Sequence, residues 1–316
     1  MSYSTVPNGL AQWGGVPVTN GGVMGQALGR GFGEIGANQN GRTKVVYVDK
    51  DVKTDRQGYV DGAGESWANA IATVQAGINA ARFNFGTTTL NYDDEMDLYV
   101  FIAPGDYSSE GRIAFSTGGS THIIGIGNPA SAGGDSGVYF CPSAPSGFAF
   151  GGGGTGLELA NITIKLQDAS TVAFYWQNLE NAWIHDNVIL CEGETGSIGM
   201  DIYQAKGALI ERNRISGPTT AGIDFNYTAA TYEYCKNTII RNNYLLADGT
   251  CTDAIKVNSN LVGPCFFIEN YIAGTTFTQT IDCTSCTSGE YVSIHNYLVG
   301  TTSAAQGTTI RGDVSS

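Results

Sequence analysis

Several residue types that mark common protein classes are scarce in this chain. Charged residues make up 14 % of its 316 residues, and the basic ones are outnumbered, with 16 Lys and Arg against 29 Asp and Glu. The net charge of −13 argues against nucleic acid as a partner, because binding a phosphate backbone needs a basic stripe. No run of 18 apolar residues is present, so no segment is expected to span a membrane.

Histidine and paired metal-ligand motifs are also scarce. The chain has three histidines and seven cysteines, and the CxxC spacing of Cys283 and Cys286 has neither a second CxxC nor a pair of histidines beside it. This pattern favours buried thiols in a protein made in a reducing cytoplasm over a zinc site. Residues 1–7 lack the charged start and apolar core of a signal peptide, so no signal peptide is expected.

In place of these features the chain has abundant glycine and an internal repeat. The 44 glycines and 42 % hydrophobic residues indicate a β-rich, turn-rich protein rather than a disordered one. Five fragments share an asparagine at the same offset, with spacings of 26, 30, 27 and 26 residues. A fixed period of this length indicates stacked supersecondary units, and the β-branched and aromatic content favours strands. The repeated residues are Asn187, Asn213, Asn243, Asn270 and Asn296.

The residues around each asparagine keep one register, as the coils of a parallel β-helix would. Apolar side chains stand three residues before and two after it, such as Ile210 and Ile215 around Asn213. Equivalent residues of successive coils lie about 4.8 Å apart, so the amides are expected to stack as a ladder that bonds the corner backbone. Asparagine tolerates the left-handed conformation, so we expect it at the corner itself. The predicted fold class is all-β, with one β-helix over 44–300.

Three further segments are predicted around this solenoid. Closely spaced glycines in residues 1–43 predict an arm that docks onto a partner or a neighbouring subunit, the alternative being a flexible tail. A capping helix over 66–83, with Ser66 as its N-cap and Trp67 on its buried face, is expected to cover the open first coil. Residues 301–316 are expected to form a polar tail.

The start of the solenoid resembles a known superfamily. The segments 47–49, 61–67 and 70–81, followed by the strand and Pro-Gly corner of 98–107, look like the opening of the pectin-lyase-like right-handed parallel β-helix proteins. The resemblance covers about residues 44–300 and implies a right-handed β-helix. That superfamily includes lyases, glycosidases, esterases, phage tailspikes and virion proteins, so it specifies fold more than function.

A polar column is predicted on the second strand of each coil, about 12 residues after the asparagine. Carboxylates, amides and aromatic rings on one face are typical of sugar recognition, and two carboxylates on adjacent coils would serve as general acid and base. They would equally suit calcium, and no other metal or cofactor is expected. The alternative is a solvent-facing sheet that is polar for solubility. The column contains Ala173, Asp201, Asp224, Lys256 and Asp282, and the candidate glycan-facing residues are Asp201, Tyr203, Asp224, Asn226 and Asp282.

The resemblance does not extend to the catalytic motifs of the superfamily. Residues 182–188 are similar to a Trp-Ile-Asp-His stretch of pectate lyases, but His185 and Asp186 are transposed, and the stretch also fits the coil pattern of this chain. Polygalacturonase-like motifs are represented by Asp93-Asp94 alone. No catalytic residue is therefore assigned, and an enzyme is the less favoured interpretation.

An apolar column is predicted to face outward four residues before each asparagine. A continuous apolar stripe is too long to leave in water, which suggests burial against a neighbouring chain, as in trimers of side-by-side β-helices. The alternative is that a loop or the N-terminal arm covers it. The residues are Trp183, Leu209, Ile239, Phe266 and Val292.

These observations favour a structural protein of a bacteriophage virion. The expected component is a tailspike, a fibre or a capsid-surface protein, anchored to other virion proteins by the arm and able to attach to a bacterial surface polysaccharide. This fold is usually met outside cells, yet no signal peptide is expected. A virion protein fits both features, since lysis of the host would release it. The alternatives are a polysaccharide lyase or glycoside hydrolase acting on the same glycan, and a secreted carbohydrate-binding module.

Overall fold

The computed structural model of the chain is a parallel β-solenoid. It describes residues 10–13, 16–19, 43–51, 64, 66–82, 97–117, 120–129, 136–142, 147–168, 171–192, 194–226, 235–257, 264–274, 277–283, 291–299, 308–311 and 314–315. Three sheets of parallel strands run along it, with each coil contributing one strand to each sheet over most of the length. This confirms the predicted all-β solenoid, whereas right-handed winding stays a prediction.

The first two sheets meet at the corner that contains the repeated asparagines. In the first sheet the described strands are Thr43–Val48, Asp97–Ile102, Thr121–Gly125, Leu157–Ala160, Trp183–His185, Leu209–Glu211, Thr238–Arg241, Cys265–Ile268, Tyr291–Ile294 and Thr308–Arg311. In the second sheet they are Gly105–Asp106, Val138–Phe140, Ile162–Lys165, Val188–Leu190, Arg214–Ser216, Tyr244–Leu246, Tyr271–Ala273, Tyr297–Val299 and Val314–Ser315.

The third sheet completes each coil. Its described strands are Ile113–Thr117, Phe148–Thr155, Val172–Glu180, Ile198–Ile202, Ala221–Phe225, Cys251–Val257 and Phe277–Asp282, and the short strand Ala205–Lys206 pairs with Val172–Glu180. The predicted inward columns are confirmed by the pairing, in which Ile210 lies beside Ile240 and Ile215 beside Leu245. These side chains are fully buried, and each contributes roughly 1.5–3 kcal/mol by leaving water.

The asparagine ladder forms as predicted, but the left-handed residue is a different one. Asn213 Nδ2 donates to Asn243 Oδ1 at 3.1 Å, and Asn243 Nδ2 donates to Asn270 Oδ1 at 3.0 Å. The residue before each ladder asparagine has the positive φ, for example 53° at Asn242. That residue turns the chain, so the asparagine can point its amide into the buried corner. The left-handed corner residues are Asn161, Asp186, Arg212, Asn242, Glu269 and His295.

The predicted helix over 66–83 is shorter and begins later. A 3-10 turn covers Trp67–Asn69, and the α-helix covers Val74–Arg82. Ser66 makes no side-chain capping bond, and Trp67 is 37 % exposed rather than buried. Two other side chains cap the helix. Thr73 Oγ1 accepts from the amide of Ala76 at 3.3 Å, and the carboxylate of distant Glu110 accepts from the amides of Val74 at 2.7 Å and Gln75 at 3.1 Å. Because Glu110 lies in another 3-10 turn, Ser108–Glu110, no local sequence signal could reveal this contact.

Replacing Glu110 with alanine is expected to lower the free energy of unfolding by about 1–2 kcal/mol, because two amides at the helix start lose their acceptor. Denaturant unfolding monitored by circular dichroism measures this loss. Ser66→Ala is the matched control and should leave the midpoint unchanged. An equal loss in both variants would contradict the assignment of the cap to Glu110.

The remaining predicted segments lie largely outside the described residues. Within the arm, the structure describes the antiparallel pair Leu10–Trp13 and Val16–Thr19, so docking by the arm stays a prediction. Within the predicted polar tail, strands 308–311 and 314–315 continue the first and second sheets. The thiol prediction covers Cys286, which lies outside the described part, but the six described cysteines are buried. No described helix is long and apolar enough to cross a membrane.

Candidate functional site

The predicted glycan-facing carboxylates come together on the third sheet, where they are buried. Asp201 pairs with Asp224, which pairs with Lys256, which pairs with Asp282 on successive strands. Their exposed fractions are 7 %, 5 % and 8 % for the three aspartates, so the expectation of a solvent-facing polar column is wrong. We call Asp201, Asp224, Asp282 and their neighbour Asp253 the acidic cluster.

The prediction placed Ala173 in this column, and the pairing corrects it. Tyr175, not Ala173, pairs with Asp201, and Phe174 pairs with Met200. Ala173 is fully buried. The spacing between coils differs here, so counting from the asparagine misaligned this strand by two residues.

Sequence alternation missed Asp253. Strict alternation counted back by two from the inward Ile255 would place Asp253 inward as well, yet its carboxylate lies 3.8 Å from Lys256 Nζ. Alternation breaks here because the residue directly before each inward isoleucine also points into the core. A Cβ on Gly222, which stands in that column, would lie 2.6 Å from a methyl group of the core residue Leu245. The small residues in this column, such as Gly222, were the sequence signal that could have revealed the break in alternation.

Three carboxyl groups of the acidic cluster, those of Asp201, Asp224 and Asp253, hold their protons unusually tightly. Burial raises the pKa of Asp224 to about 7, although Lys256 lowers it in part and the neighbouring aspartates raise it further. Burial likewise raises the pKa of Asp201 to about 6, against a hydrogen bond from the Asn226 side chain. The pKa of Asp253 rises to about 6 through burial and through the charge of Asp282. Carboxyl groups with pKa values in this range exchange protons near neutral pH.

Two of these carboxylates have buried oxygens without a hydrogen-bond partner among the described residues. They are Asp201 Oδ1 and Asp253 Oδ1. An unpartnered buried acceptor costs about 1–3 kcal/mol, and such groups cluster at functional sites. The cluster therefore has the electrostatic character of a site rather than of a packed core.

A row of half-buried aromatic rings runs along the same sheet toward the cluster. Phe148 stacks on Tyr175 with centroids 5.1 Å apart, and Tyr175 meets Tyr203 edge-on at 5.4 Å. The guanidinium of Arg112 lies 4.8 Å from the Phe148 ring. Tyr203 and Asn226, both half-buried, directly follow the strands that contain Asp201 and Asp224. The structure thus brings together every residue of the predicted glycan-facing set.

Calcium binding at this cluster stays a prediction. Within the described ranges, no group of three or more His, Cys, Asp or Glu side chains has an arrangement suited to a metal ion. The raised pKa values favour neutral carboxyls, which are poorer cation ligands than carboxylates.

A second polar cluster, on the first sheet, was not predicted. Glu158 lies between two histidines, 2.5 Å from His122 Nδ1 and 3.0 Å from His185 Nε2. Burial opposes ionisation, but the hydrogen bonds from both histidines outweigh it and lower the pKa of Glu158 to about 2. His185 is buried, yet its bonds to Glu158 and Asp186 raise its pKa. His185 and Asp186, whose order is transposed relative to the pectate lyase stretch, are therefore part of an ion network.

This network continues onto the next two coils. Glu211 accepts from Arg241 Nε at 2.7 Å and from the indole of Trp183 at 3.0 Å, and it also pairs with Arg212. The Trp183 ring stacks on His185 at 3.8 Å. These contacts satisfy the charges internally, so the network mainly stabilises the outer face of the first sheet.

The predicted apolar column lies on the outer face of the first sheet. Trp183 pairs with Leu209, and the column continues through the predicted residues to Val292. Trp183 is 38 % exposed and the other four residues are half-buried. The role of this column as a subunit interface stays a prediction.

Comparisons with known proteins identify no family for the chain. Neither the protein-family models nor the curated proteins gave a match. Among solved structures, the chain is similar to the catalytic domain of a GH87 alpha-1,3-glucanase variant in complex with tetrasaccharides. The identity is 11 %, the similarity covers 76 % of this chain and 67 % of that one, and the TM-score is 0.27. The chain is assigned to the parallel β-solenoids by its own strand pairing.

Proposed function

We propose that the protein binds a polysaccharide along the third sheet. The observation that carries this proposal is the row of aromatic rings that leads into the acidic cluster. Aromatic rings offer apolar faces and edges to sugar rings, while carboxyl and amide groups bond to hydroxyls. Tyr175 and Asp201 lie on adjacent paired strands, about 4.8 Å apart along the solenoid, so a sugar residue that packs against Tyr175 would lie next to the largely covered carboxyl of Asp201.

Tyr203→Ala is expected to weaken binding about three- to tenfold, because it removes a ring beside the cluster. Affinity electrophoresis against a panel of purified bacterial capsular and O-antigen polysaccharides measures the change. Trp67→Ala removes a 37 % exposed ring that lies against Tyr47, far along the chain from the third-sheet site, and is the matched control. The proposal fails if no polysaccharide retards the protein, or if the two variants lose the same affinity.

Cleavage of the bound polysaccharide is the second candidate, and the raised pKa values favour it. A carboxyl with a pKa near 7, such as Asp224, is protonated often enough to act as a general acid, and a neighbouring aspartate can act as base or nucleophile. Asp224→Asn should then abolish the release of oligosaccharides while binding persists. Intact polysaccharide after long incubation with the unaltered protein would leave binding as the function and remove hydrolysis.

The virion setting is a further part of the proposal. It rests on the resemblance of residues 44–300 to the pectin-lyase-like superfamily, which includes phage tailspikes and virion proteins among several other classes. There, the third sheet would attach the particle to a bacterial surface glycan, the arm would bind other virion proteins, and the apolar column would join subunits of a trimer. Light scattering tests the trimer, since a monomeric mass for the full chain would contradict it.

A further inference from the structure

The acidic cluster on the third sheet contains more negative than positive groups. Its four aspartates lie on four successive strands of that sheet. Among the described residues, the charge of Lys256 is the positive one that acts on Asp224 and Asp253, and Lys256 Nζ lies 3.8 Å from Asp253 Oδ2. One ammonium group therefore stands against four carboxyl groups, and the cluster attracts a further cation.

Two carboxyl oxygens of the cluster lack a hydrogen-bond donor. Asp201 Oδ1 and Asp253 Oδ1 are buried and have no partner within the described part of the chain, and the two residues are 7 % and 1 % exposed. Asp253 directs its other oxygen toward Lys256, so this carboxyl group faces the cluster. A buried acceptor without a donor destabilises the fold. A ligand that donates N–H bonds to these oxygens therefore supplies what the folded chain lacks.

The solvent side of the cluster accommodates an ammonium group. The side chain of Lys256 is 27 % exposed while its ammonium lies against Asp253, which shows that a cation on a solvated stem can reach these carboxyls. The half-buried rings of Tyr175 and Tyr203 lie beside Asp201, one on the strand paired with it and one directly after its own strand. An aromatic ring attracts an ammonium group that lies over its face.

We propose that the third sheet selects a polysaccharide whose sugars carry free amino groups, such as a polymer of de-N-acetylated hexosamine. This selectivity rests on the proposed function, because the same sheet binds the glycan. A sugar ammonium donates to Asp201 Oδ1 or Asp253 Oδ1, and its ring packs against Tyr203. An ammonium suits the cluster better than calcium does, because it donates N–H bonds to neutral carboxyls as well as to carboxylates, whereas calcium takes roughly six to eight oxygen ligands. The net charge of −13 also steers a polycation toward the protein.

Titration calorimetry of the full chain with a glucosamine tetramer and with its fully N-acetylated form tests the proposal, since the two ligands differ only at their amino groups. The glucosamine tetramer should bind roughly tenfold more tightly at about pH 6.5, and increasing ionic strength should weaken its binding. Asp253→Asn should reduce its affinity about tenfold, because a charge-assisted bond is lost. Lys256→Gln should raise its affinity, because the ammonium of the protein no longer competes with that of the sugar.

Glu269→Gln is the matched control, since it removes one exposed negative charge at the corner between the first and second sheets and should leave the affinity unchanged. Equal losses in Asp253→Asn and Glu269→Gln would overturn the proposal by showing general attraction of a polycation. A lower affinity in Lys256→Gln would also contradict it. Equal binding of the two tetramers, weakened alike by Tyr203→Ala, would remove the selectivity and leave the proposed function standing. If neither tetramer binds, the selectivity fails, and the polysaccharide panel decides the proposed function separately.

Discussion

Replacing Asn243 with alanine is expected to lower the free energy of unfolding by about 3–5 kcal/mol, because several buried partners lose their bonds at once. The Asn243 side chain accepts from the backbone amide of Asn213 at 3.0 Å. It donates to the carbonyl of Ile210 at 2.9 Å and to the carbonyl of Arg241 at 3.0 Å. Alanine can replace none of these bonds, and the residue is 1 % exposed, so water cannot replace them either.

The adjacent residue provides the control for this experiment. Asn242 is exposed and has a φ of 53°, a conformation that glycine adopts without cost. Asn242→Gly should therefore leave the protein as stable as before, or slightly more stable. Urea unfolding of both variants measures the difference, and a loss below about 1 kcal/mol for Asn243→Ala would show that the ladder is not a main source of stability.

Asp224→Asn is expected to stabilise the protein at pH 7.5 by on the order of 1–3 kcal/mol, because the native carboxyl is held where its charge is disfavoured. The folded pKa of Asp224 is raised to about 7 from 3.8. Below pH 3.8 both states are protonated and the group costs nothing. Between pH 3.8 and 7 only the unfolded state ionises, so stability falls as pH rises. Above pH 7 the cost is constant.

The measurement is the thermal midpoint from pH 3 to pH 8. The thermal midpoint of the variant should equal that of the unaltered protein at low pH and be higher at high pH. Between these limits it should fall less steeply as pH rises. Asp248→Asn, at an exposed carboxyl that accepts from Ser216 Oγ at 3.1 Å, is the matched control. A lower midpoint for Asp224→Asn at pH 7.5 would show that the Asp224 carboxylate stabilises the fold, contrary to this account.

Glu158 should produce the opposite slope at acid pH. Its folded pKa is lowered to about 2 from 4.5, so its contribution is present above pH 4.5 and is lost as pH falls toward 2. Together, these two carboxyl groups favour the folded state most strongly at mildly acidic pH.

The ladder and the inward columns were predictable because each follows from a local offset that repeats. In every coil from residue 183 onward, an apolar residue follows the ladder asparagine by two positions, as Ile215 follows Asn213. Strand pairing then places the equivalent residues of successive coils side by side. Asp253 was not predictable in this way, since strict alternation fails where the strand bends. Glu110 was missed because its partners lie 35 and 36 residues away.

The sequence by itself determined the solenoid, because a parallel coil needs only a period, apolar columns and corner residues, all of which are written along the chain. The tertiary structure decided the environment of each polar group. The sequence predicts that Asp201 and Asp224 are neighbours in a polar column, but their raised pKa values depend on burial by residues from several coils. Desolvation and charge coupling arise from distances in space, and those distances exist only after the coils have stacked.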